Sequence, residues 1–323
     1  MRERVEMSAV VDDGPELVRY AESLRSLVDL SVSRPLRVVV SPGAEVAAAT
    51  VPTVLGTAGG LPELPVELVV LPVRAGVTQG ERLDDLRAVV VEHDADAGLA
   101  FDADPERCAV VDEHGDPVHP SVVTVLVGLR EAARARTAER DLTVVHDTAA
   151  SRAVPDLLAA AGAHVVQAGS AGLQDALREH DAAFAASSDG RYLFRDLPYA
   201  DTALLAACHV LAALGEQDHP LSVLGEIYRP YARTELTCAA HPSSDAATAR
   251  VADAYVTRQG AGPVDVDERD GLLVSHWADH PQWWFVVEPS GPQEVRLVVE
   301  AADDDIMDKV RDDVLALIGQ EQA

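Results

Sequence analysis

Three carboxylates alternate along one short segment, and they are the side chains best placed to do chemistry. Asp102, Asp104 and Glu106 follow the apolar run AGLAF. Three carboxylates at alternate positions could hold a divalent cation, since such ions prefer hard oxygen ligands. Pro105 restricts the backbone between them, so any such cation site should be weak. The same pattern also describes an acidic surface turn, which is the preferred interpretation.

Other motifs that would signal a reaction class are absent from the sequence. The cysteines Cys108, Cys208 and Cys238 are far apart and have no metal-binding spacing, which favours buried, reduced thiols. The glycine-rich stretch GTAGG at 56–60 has no following lysine, so it does not predict a nucleotide-phosphate loop. The 11 histidines include no H-E-x-x-H, and no Ser/His/Asp triad can be argued.

The charge balance excludes several classes of partner. A net charge of -28 repels nucleic acids and anionic membrane surfaces. No apolar run approaches the roughly 18 residues of a membrane span, and the first residues lack the apolar core of a secretory signal. Together with the reduced thiols, these features predict a cytoplasmic protein that binds neither nucleic acid nor membrane.

Strand-like and helix-like patterns alternate along the first two thirds of the chain. The apolar runs RVVVS and VELVV predict strands, and each lies next to a helical pattern. The alternation restarts after residue 119 with the helical pattern VVTVLVGL and the strand LTVVHD. Such alternation predicts α/β domains with parallel sheets. After residue 228 the sequence changes to strands in series followed by a closing helix, which predicts an α+β domain.

We therefore predict an α/β fold with two tandem α/β domains and a C-terminal α+β domain. The predicted boundaries are a leader at 1–19, a first α/β domain at 20–118, a second at 119–228 and the α+β domain at 229–323.

Four stretches in register resemble the α-D-phosphohexomutases, the phosphoglucomutase/phosphomannomutase family. The first has D-A-D-P-E-R where the family has D-G-D-G-D-R, and the second is the strand and helix that open the family's third domain. The third and fourth resemble the sugar loop G-E-M/H-S-G-H and the phosphate loop R-P-S-G-T-E-P in degenerate form. The stretches lie at 94–120, 144–166, 181–211 and 270–301. The resemblance implies that the three predicted domains correspond to domains two, three and four of the family.

The resemblance also assigns candidate site residues, most of them altered. Asp102, Asp104 and Glu106 would replace the three aspartates that hold Mg²⁺, with Ala103 and Pro105 in place of glycines. No other cofactor is expected. Ser187 replaces the sugar-binding glutamate, and Glu288 replaces a phosphate-binding arginine. The degenerate ligand-binding candidates are Arg107, Ser187, Asp189, Arg191, Ser290, Gly291 and Arg296.

A phosphohexomutase transfers phosphate through a serine in a T-A-S-H-N-P loop of its first domain. That loop is absent from this sequence, and only 19 residues precede the predicted domain two. The resemblance therefore implies a non-catalytic homologue in carbohydrate metabolism that acts as partner or regulator of an active mutase. Two alternatives stay open. A separate catalytic domain could supply the phosphoserine in trans, or Arg191, Arg195 and Arg296 could converge on a different anionic ligand.

Overall fold

The structure is a computed structural model that describes residues 14–30, 34–56, 61–74, 76–102, 107–197, 203–256 and 264–319. Residue contacts divide the described chain into two compact units. The first takes in the residues up to Arg130, with Gly190–Tyr192 and Leu197–Leu224. The second takes in Glu131–Asp189, Leu193–Asp196 and the residues from Gly225 onward.

The first unit is built on a five-stranded mixed sheet of order β2-β1-β3-β4-β5. Strand β1 pairs in parallel with β2 and β3, whereas β3 with β4 and β4 with β5 form antiparallel pairs. A capping box between Thr78 and Glu81 begins the helix that precedes β3. The elements, with the helix that spans the division, are α1 (Pro15–Leu27), β1 (Leu36–Ser41), α2 (Glu45–Leu55), β2 (Val66–Val70), α3 (Gln79–Glu92), β3 (Ala97–Phe101), β4 (Cys108–Val111), β5 (Pro117–Val118) and α4 (Pro120–Thr137).

A second sheet of order β7-β6-β8-β9 follows in the chain. Strand β6 is central and parallel to β7 and β8, and these apolar strands are covered by short helices, as in other α/β folds. The elements are β6 (Thr143–His146), α5 (Ala153–Ala160), β7 (His164–Gln167), α6 (Leu173–Glu179), β8 (Phe184–Ala186), β9 (Tyr192–Phe194), α7 (Ala203–Gly215) and α8 (Leu221–Ile227).

The C-terminal residues form an antiparallel sheet of order β10-β14-β13-β12-β11. Helices α9 and α10 cover one face, where Tyr255, Trp283 and Phe285 join the core. On the opposite face, Trp277 and Trp284 pack with Ala149. The elements are β10 (Ala232–Ala239), α9 (Ser244–Val256), β11 (Asp265–Asp267), β12 (Leu272–Ser275), β13 (Trp283–Gly291), β14 (Glu294–Ala301) and α10 (Asp304–Ile318).

The predicted fold class is confirmed: two β-sheets whose strands alternate with helices precede a C-terminal sheet domain. Some details differ from the sequence predictions. The first sheet is mixed rather than parallel, because its last two strands fold back as hairpins. Helix α1 begins at Pro15, inside the predicted leader. Among the described residues, no helix is both long and apolar enough to cross a membrane.

Candidate functional site

Asp102 lies directly after β3, at the carboxyl end of a strand in the first sheet. Its Oδ1 is 3.5 Å from the guanidinium of Arg82, so part of its charge is already countered. The loop after β1 approaches closely: a Cβ on Gly43 would lie 2.3 Å from the carbonyl carbon of Asp102, which only glycine permits. The two other predicted carboxylates, Asp104 and Glu106, lie outside the described residues.

Arg107 and Arg191 are brought together through their main chains. The two residues form an isolated antiparallel bridge, and the amide of Cys108 donates to the carbonyl of Gly190 at 3.2 Å. Gly190 has a φ of 82°, a left-handed conformation that favours glycine. This pairing joins the start of β4 to Gly190 and Arg191 of the predicted sugar loop, and all of these residues belong to the first unit.

The carboxyl ends of β6, β7 and β8 meet at one edge of the second sheet, where ligands bind in open parallel α/β sheets. Asp147 follows β6 and is 1% exposed. Its Oδ2 accepts hydrogen bonds from the amide and hydroxyl of Ser188, at 2.7 and 2.8 Å. The hydroxyl of Ser170 lies 3.5 Å from the same oxygen. Sequence reasoning did not identify Asp147, although its place after a predicted strand was an available signal.

The charges that act on Asp147 are those of other carboxylates. Burial raises the pKa of Asp147, hydrogen bonds from Ser188 oppose that shift, and the nearby charges of Asp189 and Glu288 add to it. The other carboxylate oxygen of Asp147, Oδ1, is buried and has no hydrogen-bond partner among the described residues. A negatively charged ligand would therefore meet like charge here.

A second carboxylate reaches this edge from the C-terminal domain. Asp270, which precedes β12, accepts hydrogen bonds from the hydroxyl of Thr148 and the amide of Ser170, each at 2.7 Å. The hydroxyl of Ser170 is a third donor at 3.2 Å. The donors at the ends of β6 and β7 are thus occupied by a carboxylate of the chain itself.

The predicted sugar loop makes an internal contact. The hydroxyl of Ser187 is hydrogen-bonded to the carboxylate of Asp189. This pair lies next to the Asp147–Ser188 contact at the end of β8, so the acidic side chain of Asp189 is held at the same sheet edge.

The predicted phosphate loop is a β-hairpin whose cation is paired internally. Glu288 and Arg296 lie opposite each other on β13 and β14, and their side chains are 2.5 Å apart. A second carboxylate, Glu235 on β10, is 2.8 Å from the Nε of Arg296. Burial alone would lower the pKa of Arg296, but its hydrogen bonds to the two glutamates outweigh burial and raise that pKa. Ser290 and Gly291 end β13, where the register shifts after Pro289.

One further group of side chains has the composition of a metal site. Among the described residues, Asp112, Glu113 and His114 present ligand atoms within 4.8 Å of one another. The hydrogen bonds of these three residues are those of a turn. The Oδ1 of Asp112 accepts from the amides of His114 and Asp116. Glu113 accepts hydrogen bonds from the amide and hydroxyl of Ser222.

Comparison with known proteins identifies the family. The family model "Phosphoglucomutase/phosphomannomutase, alpha/beta/alpha domain II" matches residues 18–115, and the model for domain III matches residues 121–231. Together the two matches span more than half of the 323 residues. The chain belongs to the phosphoglucomutase/phosphomannomutase family. This result confirms the resemblance that the degenerate motifs indicated.

Individual phosphohexomutases agree with this assignment. The phosphomannomutase of Salmonella typhimurium is 31% identical over 249 residues, which are 73% of this chain and 50% of that protein. A phosphoglucomutase/phosphomannomutase family protein from Burkholderia thailandensis superposes with a TM-score of 0.72 at 22% identity, covering 93% of this chain and 63% of that chain. An Aspergillus fumigatus N-acetylphosphoglucosamine mutase, solved with GlcNAc-6P and magnesium, gives a TM-score of 0.58 at 11% identity over 93% of this chain and 70% of that chain. The chain spans about half the length of the curated relatives it matches.

The phosphohexomutase loops of this chain thus differ in how their predicted residues are placed. Ser187 with Asp189, and Glu288 with Arg296, are side-chain pairs, whereas Arg107 and Arg191 are main-chain neighbours. Sequence reasoning missed Asp147 and Asp270. Asp270 carried no local signal, because its role depends on contacts with Ser170, which is 100 residues away.

Proposed function

We propose that this chain is a non-catalytic phosphohexomutase homologue, a partner or regulator of an active mutase in carbohydrate metabolism. The observation that supports it most is the Glu235–Arg296–Glu288 arrangement. Arg296 is the only basic residue in the degenerate phosphate loop at 288–296, and its side chain already has two carboxylate partners. A phosphate would have to displace both carboxylates before it could bind the guanidinium.

The charges around the sheet edge support the same proposal. A sugar phosphate is an anion, and its recognition needs unpaired donors such as a bidentate arginine. Here Asp147, Asp189 and Glu288 interact as like charges, and Asp270 occupies donors of Ser170. Repulsion between these carboxylates and a phosphate weakens binding of both substrate and transition state, so the site offers little basis for transfer chemistry.

Magnesium binding by this chain would be weak. The Aspergillus relative was solved with magnesium. In this chain the equivalent cation would depend on Asp102, Asp104 and Glu106, and Asp102 is already within 3.5 Å of Arg82. A guanidinium beside a ligand carboxylate competes with a metal ion for its charge. The donor set is acidic enough to attract Mg²⁺ but is partly neutralised, which favours a weak site.

The exposed hydrophobic residues bear on whether a separate catalytic domain docks here. Four large hydrophobic side chains are strongly exposed among the described residues, and they belong to four different elements: Val46, Val91, Ile227 and Val266. A surface that normally packs against another domain tends to present a contiguous apolar patch. Four exposed residues on four different elements therefore give no support to the alternative that this chain is one part of a split enzyme.

A coupled assay of glucose 6-phosphate formation from glucose 1-phosphate tests the proposal. The purified chain, free of host mutase, is supplied with Mg²⁺ and glucose 1,6-bisphosphate, and an active mutase serves as control. We expect no turnover above background. Turnover above about 1 s⁻¹, an ordinary enzyme rate, would contradict the proposal. Turnover that appears only when a serine-bearing domain is added would also contradict it and would support the split enzyme instead.

A further inference from the structure

A cavity of about 300 Å³ lies between the second sheet and the C-terminal sheet, within the second unit. Its floor includes the ring of His146, so we call it the His146 cavity. Val145 on β6 packs with Leu173 in the core beneath α6. Successive residues of a strand point to opposite faces, so His146 and the cavity lie on the other face of β6. The cavity lies at the small end of ligand-pocket sizes. Thr148, which lines it, donates to the carboxylate of Asp270.

His146 presents one ring nitrogen that makes no hydrogen bond with a described residue. Its Nδ1 lies 2.7 Å from the carbonyl oxygen of Asp147, so Nδ1 carries the proton and donates it to that oxygen. Burial lowers the pKa of His146 to about 4, and the charges of Arg152 and Arg269 act in the same direction. The ring is therefore neutral, and Nε2 is a hydrogen-bond acceptor to which no described residue donates.

His146 is 5% exposed as a residue, and it lines the cavity. A hydrogen-bond donor in the cavity would satisfy this ring nitrogen, as an ordered water does elsewhere in proteins. The hydroxyl of Ser275 also faces the cavity and has no described side-chain partner. Val165, Leu273 and Pro155 supply apolar walls. The lining thus combines apolar surface with a few fixed polar atoms, as ligand pockets commonly do.

The charges near the cavity favour an uncharged occupant. Arg152 is the cation that lines it, and its Nε is 3.0 Å from the carboxylate of Asp156. Glu300, a buried carboxylate bonded to two residues of the lining, accepts from the amide of Arg152 and the indole of Trp284. Since the charges of Arg152 and Glu300 are already paired, neither is a free counter-charge for an ion in the cavity.

We propose that the His146 cavity binds a small, uncharged molecule with an apolar body and one O–H or N–H group that donates to Nε2 of His146. The ligand class follows from the acceptor at Nε2 of His146, the apolar walls and the paired charges of Arg152 and Glu300. Phenol has this chemistry and is neutral at pH 7. Anisole has the same aromatic body without the donor, so the two form a matched pair of probes.

Protein-observed NMR on the full chain tests the proposal directly. Both probes are titrated into ¹⁵N-labelled protein while the imidazole nitrogens and the backbone amides lining the cavity are followed. We expect phenol to shift the Nε2 resonance of His146 toward its hydrogen-bonded position and to bind roughly three- to ten-fold more tightly than anisole, the effect of one neutral hydrogen bond. If the Nε2 resonance does not shift at a phenol concentration about 20-fold above the dissociation constant, which is nearly saturating, the proposal is overturned.

Two variants with a matched control sharpen the result. His146→Leu removes the acceptor and should abolish the preference for phenol over anisole, while Ser275→Leu fills the cavity and should abolish binding of both. His276 is the control: it is also buried, and its Nδ1 lies 2.8 Å from a main-chain carbonyl, that of Pro281, but it does not line the cavity. His276→Leu should keep the phenol preference. Equal binding of the two probes by the wild type, or unchanged binding by Ser275→Leu, would overturn the proposal even if His146→Leu failed to fold.

Discussion

Glu300 is the buried carboxylate that ties the C-terminal sheet to the second sheet within their shared unit. It is 1% exposed. Its Oε1 accepts from the amide of Arg152 at 2.7 Å and from the indole of Trp284 at 3.0 Å. Its Oε2 lies 3.5 Å from the guanidinium of Arg233. We expect replacement of this one side chain to destabilise the fold strongly.

The expected size follows from what the replacement leaves behind. Glu300→Ala would remove a hydrogen-bond acceptor from two donors and leave Arg233, whose side chain is 7% exposed, without its nearest counter-charge. Burial already lowers the pKa of Arg233, and Glu300 is the largest influence that raises it. Breaking a buried pair from one side costs about 3–5 kcal/mol in unfolding free energy.

Glu235 provides a matched control, because it also approaches Arg233, at 3.9 Å, but is 43% exposed. Glu235→Ala should cost at most about 1 kcal/mol, since exposed ion pairs contribute little. Glu300→Gln keeps an acceptor for Trp284 and should fall between the two alanine variants.

Urea denaturation followed by tryptophan fluorescence measures these differences. The three tryptophans of the chain are Trp277, Trp283 and Trp284, so the signal reports unfolding of the C-terminal domain. If Glu300→Ala costs no more than Glu235→Ala, the reasoning that burial makes this carboxylate essential is refuted.

Three further predictions concern titration and metal binding. Burial raises the folded pKa of Asp147 above its unfolded value, so its contribution is present at low pH and is lost as pH rises through that pKa. Asp147→Asn should therefore gain stability relative to the wild type as pH rises above the unfolded value of about 4, and a difference in urea denaturation that does not change with pH would contradict this. His146 has the opposite sign: its folded pKa of about 4 lies below the unfolded value of 6.5, so stability should fall as pH decreases between them, and a ring that titrates near 6.5 by NMR would contradict this. Calorimetry should find only weak Mg²⁺ binding to the wild type and less still to Asp104→Ala, whereas micromolar affinity would show that Pro105 does not weaken the loop.

Much of the fold could be predicted from sequence because its strands are marked by local pattern. The apolar runs that became β1, β6 and β13 are buried strands bounded by polar turns. Strand β10 was not predicted, because its sequence ARTELTCA mixes polar and small residues and its place is set by pairing with β14. The helix around Pro52 continues to Leu55 even though proline weakens helices.

The candidate site was less predictable, because its contacts join distant parts of the chain. The sequence showed that Glu288 replaces an arginine, but not that Glu235 and Glu288 both pair with Arg296, since that depends on the order of three strands. The third cationic candidate for an anionic ligand, Arg195, is likewise paired: it lies 3.1 Å from Asp181. Neither arginine offers the unpaired charge that this alternative needs.

The measurement that tests the central claim most directly is calorimetric titration of glucose 6-phosphate into the purified chain. If the internal carboxylates close the former phosphosugar site, no saturable binding should appear below about 1 mM, the upper end of ordinary enzyme KM values. Raising the salt concentration should not reveal a tight site, because Arg296 stays paired and partly buried where screening is weak. Saturable binding of glucose 6-phosphate in the micromolar range would contradict the claim.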